Sequence, residues 1–89
     1  MRITLNENDF IEYREGKAGT LEIFDIAVNS ERGKGIGREL VSKLPPTHTL
    51  YGFTREENHR ARAFYKALGF REIFLEGFYE DGNAYMVIK

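Results

Sequence analysis

The sequence predicts one α/β domain, an α+β arrangement on a mixed sheet, with elements in the order β-β-β-α-β-α-β-β. Three observations carry that expectation. A run rich in β-formers, Leu21 to Val28, passes through a glycine-rich turn into a helix-period run from Gly37 to Leu44. A second helical pattern, closing on Leu68-Gly69, follows an apolar run from His48 to Phe53. The remaining tail divides into two strand-like segments around Asp81-Gly82.

With 89 residues, the chain makes one domain at most, and its core is limited in size. Hydrophobic content of 42% is ample for that core and argues against disorder. Lys and Arg number 13 against 14 Asp and Glu, so bulk charge gives no drive toward nucleic acid or an anionic membrane. Without cysteine there are no disulfides, thiolate metal sites or cysteine nucleophile. The two histidines, His48 and His59, lack ligand spacing, so no metal is expected. Ser30 and Ser42 lack the context of a nucleophile elbow. No apolar run approaches membrane-spanning length and the first residues lack a signal-peptide core, which predicts a soluble, cytoplasmic protein.

In chain order, Ile3 to Leu5 forms a short strand and Asn6-Glu7-Asn8-Asp9 a turn. Phe10–Arg14 and Leu21–Val28 pair as an antiparallel hairpin across Gly16-Lys17-Ala18-Gly19. A regular second strand would put Glu22, Phe24, Ile26 and Val28 on one face and Leu21, Ile23, Asp25 and Ala27 on the other. Each face then carries one carboxylate, either a surface acid or a general base facing a cleft. A β-bulge would re-aim the residues beyond it, so parity leaves Glu22 and Asp25 both open. Ile36, Leu40, Val41 and Leu44 make the apolar stripe of the first helix, which Pro45-Pro46 stops. Strand, helix and strand in succession imply parallel pairing by a right-handed crossover. Thr54-Arg55-Glu56-Glu57 has the form of a capping box, placing the start of the second helix near it. That helix carries Ala61, Phe64, Tyr65 and Leu68 on one stripe and ends at Gly69 in the C′ position. Phe70–Leu75 and Asn83–Ile88 then form the last two strands, with Asp81-Gly82 as a hairpin turn.

The stretch Val28 to Leu40 joins strand to helix with Gly33, Gly35 and Gly37 interleaved with Arg32, Lys34 and Arg38. Glycines there let a ligand approach the backbone, and the helix's first turn offers unpaired N–H groups. This is the recipe for a phosphate or pyrophosphate cradle. The spacing fits neither a Walker A loop nor the dinucleotide fingerprint, since Arg38 stands where the latter needs glycine. What remains is Arg32-x-x-Gly35-x-Gly37. It resembles the pyrophosphate loop of the GNAT acyltransferases, the general N-acetyltransferase family. Asn58-x-x-Ala61-x-x-Phe64-Tyr65-x-x-Leu68-Gly69-Phe70 is similar, position for position, to that family's second characteristic segment. The resemblance is close from Leu21 to Phe70 and holds for the tail in general pattern.

The resemblance implies acetyl-CoA as co-substrate and acetyl transfer to a primary amine of a protein, peptide or small molecule. It implies that backbone N–H groups of Gly33, Lys34, Gly35, Ile36, Gly37 and Arg38 take the pyrophosphate, with Arg32 and Lys34 as supporting charge. By the same resemblance, Ile26, Ala27 and Val28 offer backbone groups to the pantetheine arm, an N–H near Val28 polarises the thioester carbonyl, and Asn58 contacts the arm. Tyr65 takes the family's usual general-acid position, although its place on the apolar stripe also suits a core aromatic. Arg60 and Arg62 are candidates for the adenosine phosphate or ordinary exposed arginines.

Against the family pattern, fewer than ten residues precede Phe10, where GNAT domains usually carry a first strand and one or two helices. This predicts a minimal version whose acceptor side is open to a protein or peptide amine, or is completed by a homodimer or a partner protein. It also keeps a second class of function in view, a non-catalytic acyl-CoA-binding regulatory module that docks on a partner.

Overall fold

A computed structural model describes residues 1–29 and 35–89. Six strands and two helices follow the predicted order: β1 (Arg2–Asn6), β2 (Asp9–Glu15), β3 (Thr20–Val28), α1 (Ile36–Ser42), β4 (Thr49–Arg55), α2 (His59–Ala67), β5 (Arg71–Tyr79) and β6 (Gly82–Ile88). They divide into two compact units, Met1–Thr49 and Leu50–Lys89.

In the first unit β2 pairs antiparallel with both β1 and β3. The β2–β3 turn closes through Thr20, whose N–H donates to the Lys17 carbonyl at 2.9 Å, with Gly19 at φ 78. That left-handed angle suits glycine. The helix α1 packs on all three strands through buried Leu40 and Val41. Its last turn tightens, with the N–H groups of Lys43 and Leu44 each donating three residues back at 3.1 Å. The chain then leaves the helix at Pro45, after Leu44 has been buried.

One irregularity corrects the expected faces of β3. Glu12 pairs with Asp25 while Tyr13 pairs with Ile23, so Phe24 is an extra residue in the β3 ladder. Directly opposed residues share a face. Leu21, Ile23, Ile26 and Val28 therefore lie on one face, opposite Glu15, Tyr13, Ile11 and Asp9. Glu22, Asp25 and Ala27 lie on the other, opposite Arg14, Glu12 and Phe10. The bulge thus keeps apolar residues inward on both of its sides and turns Phe24 out to half exposure.

In the second unit β6 pairs antiparallel with both β4 and β5. The face bearing Gly52, Thr54, Tyr85, Val87 and Glu72 is the one α2 covers, since Arg62 of α2 reaches both Glu72 and Tyr85. The expected capping box does not form. Thr54 and Arg55 are still paired in β4, and Asn58 caps α2 instead, its Oδ1 accepting from the Ala61 N–H at 3.1 Å. Gly69 is the left-handed C′ residue, as its position predicts, at φ 89. The β5–β6 hairpin extends past Leu75 to Tyr79, with Glu76, Gly77 and Phe78 bulging opposite Asn83. The Asn83 side chain fills that bulge, accepting from the Gly77 N–H at 2.8 Å and donating to Glu56 at 2.9 Å.

Candidate functional site

Each unit carries part of the predicted constellation. In the first, Ile26, Ala27 and Val28 form the half-buried end of β3, and Asn29 follows. That end is pinned by Asp9. Its carboxylate is fully buried, with Oδ1 accepting from the Asn29 N–H at 2.8 Å and Oδ2 from Asn6 Nδ2 at 2.8 Å. Asn29 Nδ2 also donates to the Asn8 carbonyl at 3.1 Å. The sequence reading took Asp9 for an ordinary turn residue, because nothing in the Asn-Glu-Asn-Asp run tells which acid turns inward. Its place one residue before an apolar strand run was the available signal.

Arg32, Gly33 and Lys34 lie outside the described residues. Beyond them Gly35 is the N-cap of α1 at φ 73 and, as a glycine, has no side chain with which to cap the helix. A Cβ at Gly35 would meet nothing within 4 Å, so this glycine is required by its backbone angle rather than by crowding. Gly35, Ile36, Gly37 and Arg38 form the opening turn of α1, in which Gly37 is buried and Arg38 exposed. A helix's first turn presents backbone N–H groups, which suit an anionic group.

The two carboxylates of β3 share a face but not an environment. Glu22 is ion-paired with Arg14 at 2.9 Å. Asp25 is exposed and has no hydrogen-bond or ion-pair partner among the described residues. Its cross-strand neighbour Glu12 is taken up by Arg2, with which it forms an ion pair.

In the second unit Asn58 and Tyr65 stand on α2. The cap uses the Asn58 Oδ1, which leaves its amide N–H groups as the polar function not spent on the helix. Tyr65 is buried, its ring 5.1 Å from that of Phe70 and 5.4 Å from that of Phe64. Arg62 is committed to the fold, since Nε and Nη2 donate to Glu72 at 2.7 and 3.2 Å and Nη1 donates to the Glu56 carbonyl at 3.0 Å. That hydrogen bond from Arg62 holds the Glu72 carboxyl below the usual glutamate value, and Lys66 at 3.2 Å acts in the same direction. Arg60 stays exposed. A residue that the sequence reading passed over also stands out. Thr54 is 6% exposed, and its hydroxyl has no hydrogen-bond partner among the described residues.

Among the described residues no group of three or more His, Asp or Glu side chains could hold a metal ion. No helix among them is long and apolar enough to cross a membrane.

The fold is shared with known proteins. The fold is similar to Ard1 from Thermoplasma volcanium, at 25% identity and a TM-score of 0.72, over 92% of this chain and 62% of that one. It is similar to the ribosomal-protein-S18-alanine N-acetyltransferase from Escherichia coli, at 27% identity and a TM-score of 0.68, over 96% of this chain and 63% of that one. It also matches Naa50 of Arabidopsis thaliana in complex with the bisubstrate analogue CoA-Ac-MVNAL, at 23% identity and a TM-score of 0.64, over 92% of this chain and 64% of that one. The chain therefore spans less than two thirds of the length of each of these solved structures. No curated protein sequence matches it. The family model of the acetyltransferase (GNAT) domain matches residues 5–72, most of the chain and both glycine-marked segments. On that match, the chain belongs to the GNAT acetyltransferase domain family.

Proposed function

We propose that residues 1–89 act together as one acetyl-CoA-dependent N-acetyltransferase domain, moving an acetyl group to a primary amine by direct attack on the thioester. The observation that carries this reading is the family match over residues 5–72, which takes in both the Arg32–Gly37 loop and the Asn58–Phe70 segment. Acetyl-CoA, when bound, supplies the activated acyl group as a thioester.

The chain's own residues then have separable tasks. Backbone N–H groups of Gly33 to Arg38 hold the pyrophosphate, Arg32 and Lys34 adding charge. The left-handed glycine that opens α1 supports that role. Backbone groups of Ile26, Ala27 and Val28 hold the pantetheine arm, and the Val28 N–H points charge at the carbonyl oxygen. The Asn58 amide N–H groups donate to the arm, because its Oδ1 is already engaged. Tyr65 holds the proton that the departing thiolate needs; a phenol near pKa ~10 can serve a thiol near ~8.5. Asp25, through water, takes the proton of the attacking amine. Its lack of a partner among the described residues supports it over Glu22, which Arg14 holds.

The acceptor is an amine of a polypeptide, in a site completed by a second copy or a partner protein. The alanine N-acetyltransferase and the peptide-like bisubstrate analogue among the similar structures support a polypeptide amine. Calorimetry with acetyl-CoA, followed by release of free CoA across a panel of peptides, polyamines and small amines, tests the reading. No acetyl-CoA binding by the folded chain would sink it. Binding without transfer to any amine would replace it with the non-catalytic acyl-CoA-binding module.

A further inference from the structure

We infer that the outer edge of β5 pairs antiparallel with the same edge of a second copy of this chain, across a two-fold axis through Phe74. Within the second unit β5 pairs with β6 on one side, and no strand among the described residues pairs with its other side. Such an edge presents a row of backbone N–H and carbonyl groups, and proteins that stay single usually interrupt it with lysine, proline or a bulge. Here Arg71 to Leu75 are regular ladder positions, and the bulge begins only at Glu76. Apolar side chains are exposed on both faces of that stretch, Ile73 at 42% on one and Phe74 at 47% on the other.

The charges indicate what lies against it. On the face that carries Phe74, Arg62 and Lys66 both bind one carboxylate, Glu72, so the cluster holds a cation in excess. Glu76 is exposed and has no hydrogen-bond or ion-pair partner among the described residues. A two-fold axis perpendicular to the sheet reverses the strand and keeps like faces together. With Phe74 on the axis, Phe74 opposes its own equivalent, Ile73 opposes Leu75 of the second copy, and Glu72 opposes Glu76 of the second copy. Two cations then meet two carboxylates at each end of the paired stretch. A parallel pairing would set like charges side by side and leave both clusters in excess. Few apolar residues enter the contact, so the association is weak, on the order of 10–100 µM.

The test uses the full chain without acetyl-CoA, so its outcome is independent of the cofactor reading. Sedimentation velocity across and above that concentration range should show a monomer–dimer equilibrium. Glu76→Lys adds a third cation to each cluster and should weaken the dimer about tenfold. Lys66→Glu combined with Glu76→Lys restores two charges of each sign and should recover most of that loss. Phe74→Lys places two ammonium groups on the axis and should leave a monomer. Glu76 and Phe74 are both exposed, and far-UV circular dichroism checks that the variants fold. A wild-type chain that stays monomeric at the highest concentration would overturn the inference and leave the edge to a strand of another protein. A dimer indifferent to Glu76→Lys and Phe74→Lys would also overturn it, because the copies would then meet elsewhere.

Discussion

Phe70 holds Tyr65 by two contacts at once: its N–H donates to the Tyr65 carbonyl at 3.0 Å, and the two rings stand 5.1 Å apart at 65°. The Gly69 N–H donates to the Lys66 carbonyl at 3.0 Å beside them. Together these are the paired bonds and the apolar contact of a Schellman end. The proposed general acid is thus fixed by the way its helix stops. Tyr65→Phe keeps the ring and its contacts and removes only the phenol. Steady-state kinetics should show kcat falling by about 10²–10⁴ with the acetyl-CoA Kd within about twofold of wild type. Equal losses in kcat and affinity would argue for a packing role instead.

The same helix end makes a stability prediction. Gly69 has φ 89, and a Cβ there would meet only Lys89 side-chain atoms at 3.7 and 3.8 Å, which is ordinary contact. The cost of Gly69→Ala is therefore conformational, about 1–2 kcal/mol. Urea unfolding at neutral pH measures it.

Helix ends and strand order were legible because they rest on local chemistry. Gly69 marks a left-handed position and Pro45-Pro46 a stop, whatever the surroundings. The start of α2 was misplaced because Thr54-x-x-Glu57 satisfies a capping pattern that Asn58 satisfies better once Thr54 is held in β4 by Tyr85. The side taken by Asp25 could not be read, since a bulge at Phe24 is set by pairing with β2 and leaves no mark in the run itself. Burial of Asp9 and Thr54 is likewise tertiary. Short polar residues at the ends of strands look alike in sequence whether they face water or core.

The Arg62–Glu72 pair predicts an acid-sensitive tie between α2 and β5. Arg62, through its hydrogen bond, lowers the Glu72 pKa in the folded state below the value the unfolded chain gives it. Stability from this group is therefore present above the unfolded value and is lost as pH falls through the lower, folded one. Chemical denaturation of wild type and Glu72→Gln across the acid range should show wild type more stable at neutral pH and the gap closing as pH drops. A gap independent of pH would mean that Glu72 contributes packing rather than charge.

Asp9 is predicted to anchor the loop entrance as well as the fold. Asp9→Ala leaves the Asn29 N–H and the Asn6 amide without their acceptors, at a cost of about 2–3 kcal/mol. Asp9→Asn keeps an acceptor for Asn29 and should cost less. Because Asn29 leads directly into the loop, acetyl-CoA affinity should fall in Asp9→Ala at temperatures where the variant remains folded. Urea titration and calorimetry read the two effects separately.

The bulge at Phe24 gives the last prediction its form. By turning Glu22 and Asp25 to the same face, it removes orientation as the criterion between them and leaves availability. The Glu22 side chain is only 15% exposed and is bound by Arg14, so taking a proton from an amine would first require releasing that pair. Asp25 needs no release. Asp25→Asn should therefore lower kcat/KM by about 10²-fold, as loss of a general base does. Glu22→Gln should leave kcat/KM within about threefold and cost about 1 kcal/mol of stability, since its partner Arg14 is largely exposed. Rates over a range of amine concentrations reaching well below KM, taken across pH, check both variants side by side. The reverse ranking would give the base to Glu22, and indifference to both substitutions would mean the amine is deprotonated before it reaches the site.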